Sequence, residues 1–164
     1  MSVVNKVISC DTSFFIRLLN SEDPLNRNAV DYFQYFLDEK YQIRVSTIAI
    51  AEFCVQGSAD MLPIKSMLVS PFNYNHAIFA GQCARVLFNH RSKGAVEVDN
   101  RIVIANDVKI MTQAQMDGSA LYVTSDRKCK RMYDVLRKEG KLMYDFIDIS
   151  VPCSQQFGTL PLNS

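Results

Sequence analysis

The sequence is short of several things, and each shortage excludes a class of protein. None of its apolar runs approaches the roughly 20 residues that a membrane-spanning helix needs. Stretches such as Thr47 to Val55 are cut by a charge, here Glu52, so no membrane partner is expected. The N-terminus carries no basic stretch leading into an apolar run and a small-residue cleavage site, so no secretory signal is visible. The five cysteines (Cys10, Cys54, Cys83, Cys129, Cys153) are odd in number, widely spaced and without a CxxC pair. That pattern predicts reduced thiols in a cytoplasmic protein rather than a disulfide framework. His76 and His90 have no cysteine or second histidine at ligand spacing, which speaks against a zinc site. Net charge is nearly absent too, since 18 basic residues against 17 acidic leave +1. That argues against a uniformly basic protein coating nucleic acid and against an acidic solvating one, but says nothing of how the charges are arranged.

What is present is the composition of an ordinary globular protein, 48% hydrophobic and 21% charged over 164 residues and 18.6 kDa. One domain of this size buries roughly 70% of its unfolded surface and needs neither disulfide nor structural metal to fold. Short apolar runs alternate with amphipathic segments. Val3, Val4, Val7, Ile8 and Cys10 predict an opening strand that stops at Asp11, followed by a short helix over Phe14 to Leu19 and a polar loop, Asn20 to Pro24. Leu25 to Lys40 repeats Ala29, Phe33, Phe36 and Leu37 at helical spacing. Ile43, Val45 and Thr47 alternate as a strand, and Ser46 or Thr47 caps a helix to about Gln56, stopped at Gly57. A shorter helix follows Pro63, Met67 to Phe72 reads as a strand, and Asn75 to His90 as a helix. Arg101 to Ala105 is read as extended or as the first turn of the next helix. Asn106 is expected to cap that helix, which runs to Asp117 with Gly118 as its stop. Leu121 to Thr124 is a strand, Asp126 to Gly140 a helix and Met143 to Ile149 a last strand. Strands separated by helices imply an α/β fold, a parallel sheet covered on both faces. The tail from Ser150 has no periodicity and is expected to be a loose arm or to pack irregularly.

Ligands of parallel sheets bind beyond the carboxyl ends of the strands. Asp11 follows the first strand and Asp126 the fourth, in Val123-Thr124-Ser125-Asp126. Either would serve as a helix cap, but two in equivalent places ask for more. Glu52 lies on or beside the buried stripe of its helix, with Ile48, Ala51 and Val55 at helical spacing, where an ionised carboxylate needs compensation. A buried arginine would supply it; so would a metal. Asp107 stands in the first turn of a helix, favourable for the helix dipole, yet Val103, Ile104, Ile110 and Met111 place it on an inward face. Two carboxylates about 5 Å apart repel by about 3 kcal/mol at an effective dielectric of 20. Four converging would require cations, and oxygen-only ligands select Mg²⁺ or Mn²⁺. Such ions bind phosphate oxygens and lower the pKa of an attacking water.

The motifs Asp11-Thr12-Ser13, Glu52 within Ser46-Thr47-Ile48-Ala49-Ile50-Ala51-Glu52, Asn106-Asp107, and Thr124-Ser125-Asp126 resemble, in order and spacing, those of PIN-domain nucleases. The resemblance covers about residues 3 to 149. It implies a three-layer α/β/α sandwich over residues 1–149, with 150–164 as a C-terminal tail. It also implies metal-dependent cleavage of single-stranded RNA, as in VapC-type toxins of toxin–antitoxin pairs, with an antitoxin protein and a homodimer as expected partners. By the resemblance Asp11, Asp107 and Asp126 hold metal, Glu52 binds metal or orients the water, and Ser13 and Thr124 support the site through hydroxyls. Asp99 competes with Asp107 as the third acid. Asp107 is preferred because it opens the helix containing Ile110 and Ala114.

Residues 127 to 141 hold seven basic residues (Arg127, Lys128, Lys130, Arg131, Arg137, Lys138, Lys141) against Asp134 and Glu139, a net +5. This is either a solvated helix face or a phosphate-tracking rim in which Arg127, Lys128, Lys130 and Arg131 bind nucleic acid. Arg91, Lys93 and Arg101 would extend it. Tyr122, Tyr133 and Tyr144 are expected in packing rather than stacked on bases. Phe14, Phe15, Phe33 and Phe36 are expected in the core; an excess of them on one surface would mark a dimer or antitoxin contact. Three other functions stay open: a nuclease acting on DNA or structured RNA, a catalytically silent module binding RNA or protein, and a phosphorylatable receiver domain. The last normally needs an acidic pair at the first strand, where Ser9-Cys10-Asp11 has one acid.

Overall fold

The computed structural model describes residues 6–91 and 104–158. Five strands, β1 (Val7–Cys10), β2 (Gln42–Ser46), β3 (Met67–Ser70), β4 (Leu121–Thr124) and β5 (Asp145–Asp148), form one parallel sheet in the order β3-β2-β1-β4-β5. Strands covered on both faces must be apolar on both. Ile8 and Cys10 of β1 and Ile43 and Val45 of β2 are buried on one face, while Tyr122 and Val123 of β4, which point to opposite faces, are both buried.

The helices are α1 (Thr12–Leu19), α2 (Asn26–Asp38), α3 (Thr47–Phe53), α4 (Tyr74–Arg91), α5 (Asn106–Met116), α6 (Arg127–Lys138) and α7 (Cys153–Phe157). Right-handed crossovers leading away from β1 in opposite directions put helices on both faces. α1 packs on α2 and α7 on α2; α4, α5 and α6 pack on one another; α3 touches both α1 and α5. The sheet order reverses between β1 and β4, and at such a switch point the loops part to leave a crevice beyond the strand ends.

Several boundaries differ from expectation for local reasons. α3 ends at Phe53, and the chain turns back under its ring: a Cβ on Gly57 would come within 2.7 Å of the Phe53 ring, so any larger residue there would have to displace that ring. Gly118 stops α5 with φ +73, the left-handed conformation glycine adopts at no steric cost. The segment after Pro63 is a single 3₁₀ turn, Ile64–Ser66. The capping role expected of Asn106 is not observed: it is the first residue of α5, Ala105 precedes it as N-cap, and no side chain caps the helix. Residues 150–158 pack on the body, one of the two outcomes expected of the tail, and include the short helix α7. Phe157 of α7 stacks on Tyr35 at 4.4 Å between ring centroids, and the Tyr32 hydroxyl donates to the Val151 carbonyl at 2.7 Å. Val3 and Val4, Lys93, Asp99, Arg101 and most of the 101–105 run lie outside the described residues.

Candidate metal and nucleic-acid site

The crevice at the switch point is a cleft of about 580 Å³ whose lining includes Asp11, Thr12, Ser13, Glu52, Asp107 and Asp126. All four acids singled out in the sequence therefore reach one cavity from four elements. Asp11 leaves the end of β1 and caps α1, accepting from the Phe14 amide at 3.1 Å. Asp126 follows β4 and caps α6, accepting from the Lys128 amide at 2.7 Å. Capping and lining the cleft coexist in both, because an N-cap carboxylate has further lone pairs to offer.

Asp11 is buried, and its two oxygens are held from three sides. Its Oδ1 also accepts from the Ser13 hydroxyl at 2.7 Å, and its Oδ2 from the Thr124 hydroxyl. Both hydroxyl protons are thus committed to Asp11. The Ser13 and Thr124 oxygens, 3.2 Å apart, in turn accept from the Ser125 and Asp126 amides at 2.9 Å each. Burial pushes the Asp11 carboxyl up to about 6; these hydrogen bonds oppose the rise, and the Asp107 charge adds to it. Asp107 is also raised, first by burial and then by the charges of Asp126 and Glu52, with Lys128 opposing.

Glu52 is half-buried, and among the described residues no arginine pairs with it. Its oxygens accept from the Thr12 hydroxyl and, at 3.0 Å, from the Asn106 side-chain amide. The Asn106 side chain thus reaches across to α3 instead of capping its own helix. Neither Thr12 nor Asn106 stood out for this role in the sequence, because their bonds to Glu52 span 40 and 54 residues. Cys129 was missed as well. It sits one turn into α6, fully buried, with its sulfur within 4.8 Å of carboxylate oxygens of both Asp107 and Asp126. Burial, then the charges of Asp11, Asp107 and Asp126, push its thiol far up and keep it protonated in the metal-free protein.

Among the described residues no lysine or arginine side chain pairs with Asp11, Glu52, Asp107 or Asp126. The donor set is carboxylate oxygens, with Asp11 and Asp107 holding their protons more tightly than usual through burial and neighbouring negative charge, which is what a hard divalent cation fits. On the basic segment, Arg127, Lys128 and Arg131 are exposed. Lys130 pairs with Asp134 and sits 5.4 Å over the Tyr133 ring, while Arg137 donates to the Tyr144 carbonyl at 2.7 Å. Tyr122, Tyr133 and Tyr144 are buried in a stack and unavailable to bases. Phe14, Phe15 and Phe36 are core and Phe33 packs against it, so they form no surface patch.

No protein-family model and no curated protein matches the sequence. Solved structures do. VapBC2 from Rickettsia felis, bound to a DNA fragment from its promoter, is 18% identical with a TM-score of 0.55, over 87% of this chain and 99% of that one. Mycobacterium tuberculosis VapC20, a Sarcin-Ricin loop cleaving toxin, is 16% identical with a TM-score of 0.52, over 76% and 93%. The chain has the PIN-domain fold. DNA-bound VapBC from Salmonella typhimurium agrees, at 18% identity and a TM-score of 0.52 over 87% and 97%. PIN topology also removes the receiver reading, whose sheet order is 2-1-3-4-5 rather than β3-β2-β1-β4-β5.

Proposed function

We propose that the protein is a Mg²⁺- or Mn²⁺-dependent endoribonuclease acting on single-stranded RNA, and the toxin of a toxin–antitoxin pair. The observation that carries this reading is the convergence of Asp11, Glu52, Asp107 and Asp126 on one cleft, with no lysine or arginine among the described residues ion-paired to them. Asp11, Asp107 and Asp126 would hold the cation, with Glu52 as a further ligand or as the group orienting the attacking water. When bound, the cation supplies charge neutralisation at the scissile phosphate and a more acidic water. Ser13 and Thr124 keep Asp11 ionisable and fix its oxygens. The Thr12 hydroxyl and the Asn106 amide fix Glu52, which leaves it only limited freedom to turn from the cleft. Arg127, Lys128 and Arg131, with Lys130 as a weaker member, would track the phosphates that enter beside Asp126.

An apolar lip borders the acids: Ile16, Val55 and Met61 are 47%, 79% and 52% exposed and line the same cleft. A lip of this kind suits a protein segment with apolar anchors and a basic group for the acids, the chemistry expected of an antitoxin. A homodimer, expected from the resemblance, is tested by sedimentation of the purified chain.

The deciding experiment incubates the purified protein with single-stranded RNA, structured RNA and DNA, with Mn²⁺, Mg²⁺ or EDTA. Cleavage of single-stranded RNA that requires the metal and disappears in both Asp11→Asn and Asp126→Asn is expected. Metal-independent cleavage, or full activity in the folded variants, overturns the assignment, and cleavage confined to DNA or structured RNA would replace the substrate.

A further inference from the structure

A donor of another kind lies close to two of the acids that line the cleft. Cys129 follows Asp126 by three residues on α6, a spacing that puts two side chains on one helix face. Its Sγ and one carboxylate oxygen each from Asp107 and Asp126 all lie within 4.8 Å of one another. An ion at the centre of a triangle no larger than that lies within about 2.8 Å of every corner. Zinc-class ions bind thiolate at roughly 2.3 Å and carboxylate at roughly 2.0–2.2 Å, so side-chain shifts well under 1 Å would close the site. A second buried polar group lies within electrostatic range of the same residues. The Tyr122 hydroxyl is completely buried and has no hydrogen-bond partner among the described residues. Burial first, and then the charges of Asp11, Cys129, Tyr144 and Asp107, hold it in its neutral form. An unpaired buried hydroxyl is costly.

We propose that Cys129, Asp107 and Asp126 form a binding mode for a thiophilic divalent cation of the zinc class, separate from the all-oxygen mode of the same cleft. This inference rests on the reading of the cleft as a cation site and adds to it a soft donor that neither the sequence motifs nor the four acids supply. On binding, the S–H bond breaks, the proton passes to solvent and a sulfur–metal bond forms, with no change of oxidation state. Thiolate ligation favours zinc over manganese and magnesium. Because the two modes share Asp107 and Asp126, one ion excludes the other. A zinc-class ion therefore displaces the hard ion from the cleft.

The test uses the full-length reduced protein, with cobalt(II) as the spectroscopic probe. Wild type and Cys54→Ser are expected to show a thiolate-to-cobalt charge-transfer band that added zinc abolishes, and Cys129→Ser and Asp126→Asn to lack it. Zinc affinity should fall at least about tenfold in Cys129→Ser, while manganese affinity changes far less. Persistence of the band in Cys129→Ser, its absence from wild type, or equal zinc affinities would overturn the proposal. Cadmium-113 NMR of the wild-type protein needs no variant: a resonance shifted by one sulfur ligand is expected, and an all-oxygen shift overturns the assignment. Manganese binding to wild type, followed by electron paramagnetic resonance, separates the two readings. If manganese binds and no thiolate band forms, only the Cys129 mode fails; if manganese does not bind, the cation site itself fails with it.

Discussion

Asp11 sets function against stability in a single side chain. Its folded-state carboxyl titrates at about 6, against roughly 3.9 in an unfolded chain. The folded protein therefore holds this proton more tightly than the unfolded one. The stabilising contribution is full below about pH 4 and is lost as pH rises through 6, leaving the metal-free protein poorer by about 3 kcal/mol above it. Asp11→Asn should thus raise the stability of the metal-free protein at pH 7.5 by 1–3 kcal/mol and leave it nearly unchanged at pH 4, while cleavage disappears. Urea unfolding at the two pH values measures this, and a loss of stability at pH 7.5 would contradict the burial account. Thr124→Val removes a hydroxyl that favours the ionised form. The acid limb of the manganese-binding curve should move to higher pH in that variant; an unmoved limb would mean the hydroxyl does not tune Asp11.

At the scale of elements, the spacing of the acids depends on how α3 and α5 are held. Ser46, the N-cap of α3, donates to the buried Gln113 of α5 at 2.6 Å, and Gln113 donates to the Ser70 carbonyl of β3 at 3.0 Å. Ser70 and His76 both bond to Asp117; the His76 Nδ1 accepts from the Asn73 amide, so its Nε2 carries the proton and donates. This chain of side chains joins the helix bearing Glu52 to the helix bearing Asp107 without touching the cleft. Gln113→Leu strands the buried Ser46 hydroxyl and removes the donor to the Ser70 carbonyl, and should cost about 2 kcal/mol in urea unfolding and weaken manganese binding several-fold. Unchanged manganese affinity in the folded variant would show that the network is structural only. α6 makes a separate claim. Lys128→Ala with Arg131→Ala should lower the slope of log affinity for single-stranded RNA against log salt by about 1.4, some 0.7 per lost phosphate contact. Lys130→Ala, already engaged by Asp134, should change it less, and an equal loss from all three would dissolve the distinction.

For the whole molecule, a cation that binds only the folded state stabilises it by mass action, about 2.7 kcal/mol at a hundredfold excess over Kd. The thermal midpoint should rise with Mn²⁺ at pH 7.5 in the wild type and stay put in Asp11→Asn; a rise in both would place the ion elsewhere. Much of this architecture was legible in the chain. Apolar runs such as Val7–Cys10 and Leu121–Thr124 can be satisfied only in a sheet buried on both faces, and the acids that end them are fixed there by local capping. Sequence alone therefore determined the alternation of strands and helices, the parallel sheet and the identity of four acids. Tertiary structure decided what surrounds those acids: Asn106 turned toward Glu52 instead of its own helix, Cys129 under Asp107 and Asp126, Phe157 stacked on Tyr35, and Lys130 drawn to Asp134. The division has a physical cause. Periodicity and capping act over a few residues, whereas the partner that satisfies a buried polar group is whichever atom the fold brings near, often a hundred residues away, as Thr124 is from Asp11. The small net charge shows the same division. Its total of +1 is a property of the chain, but only the fold sets four carboxylates on one cleft with an exposed basic helix face beside them.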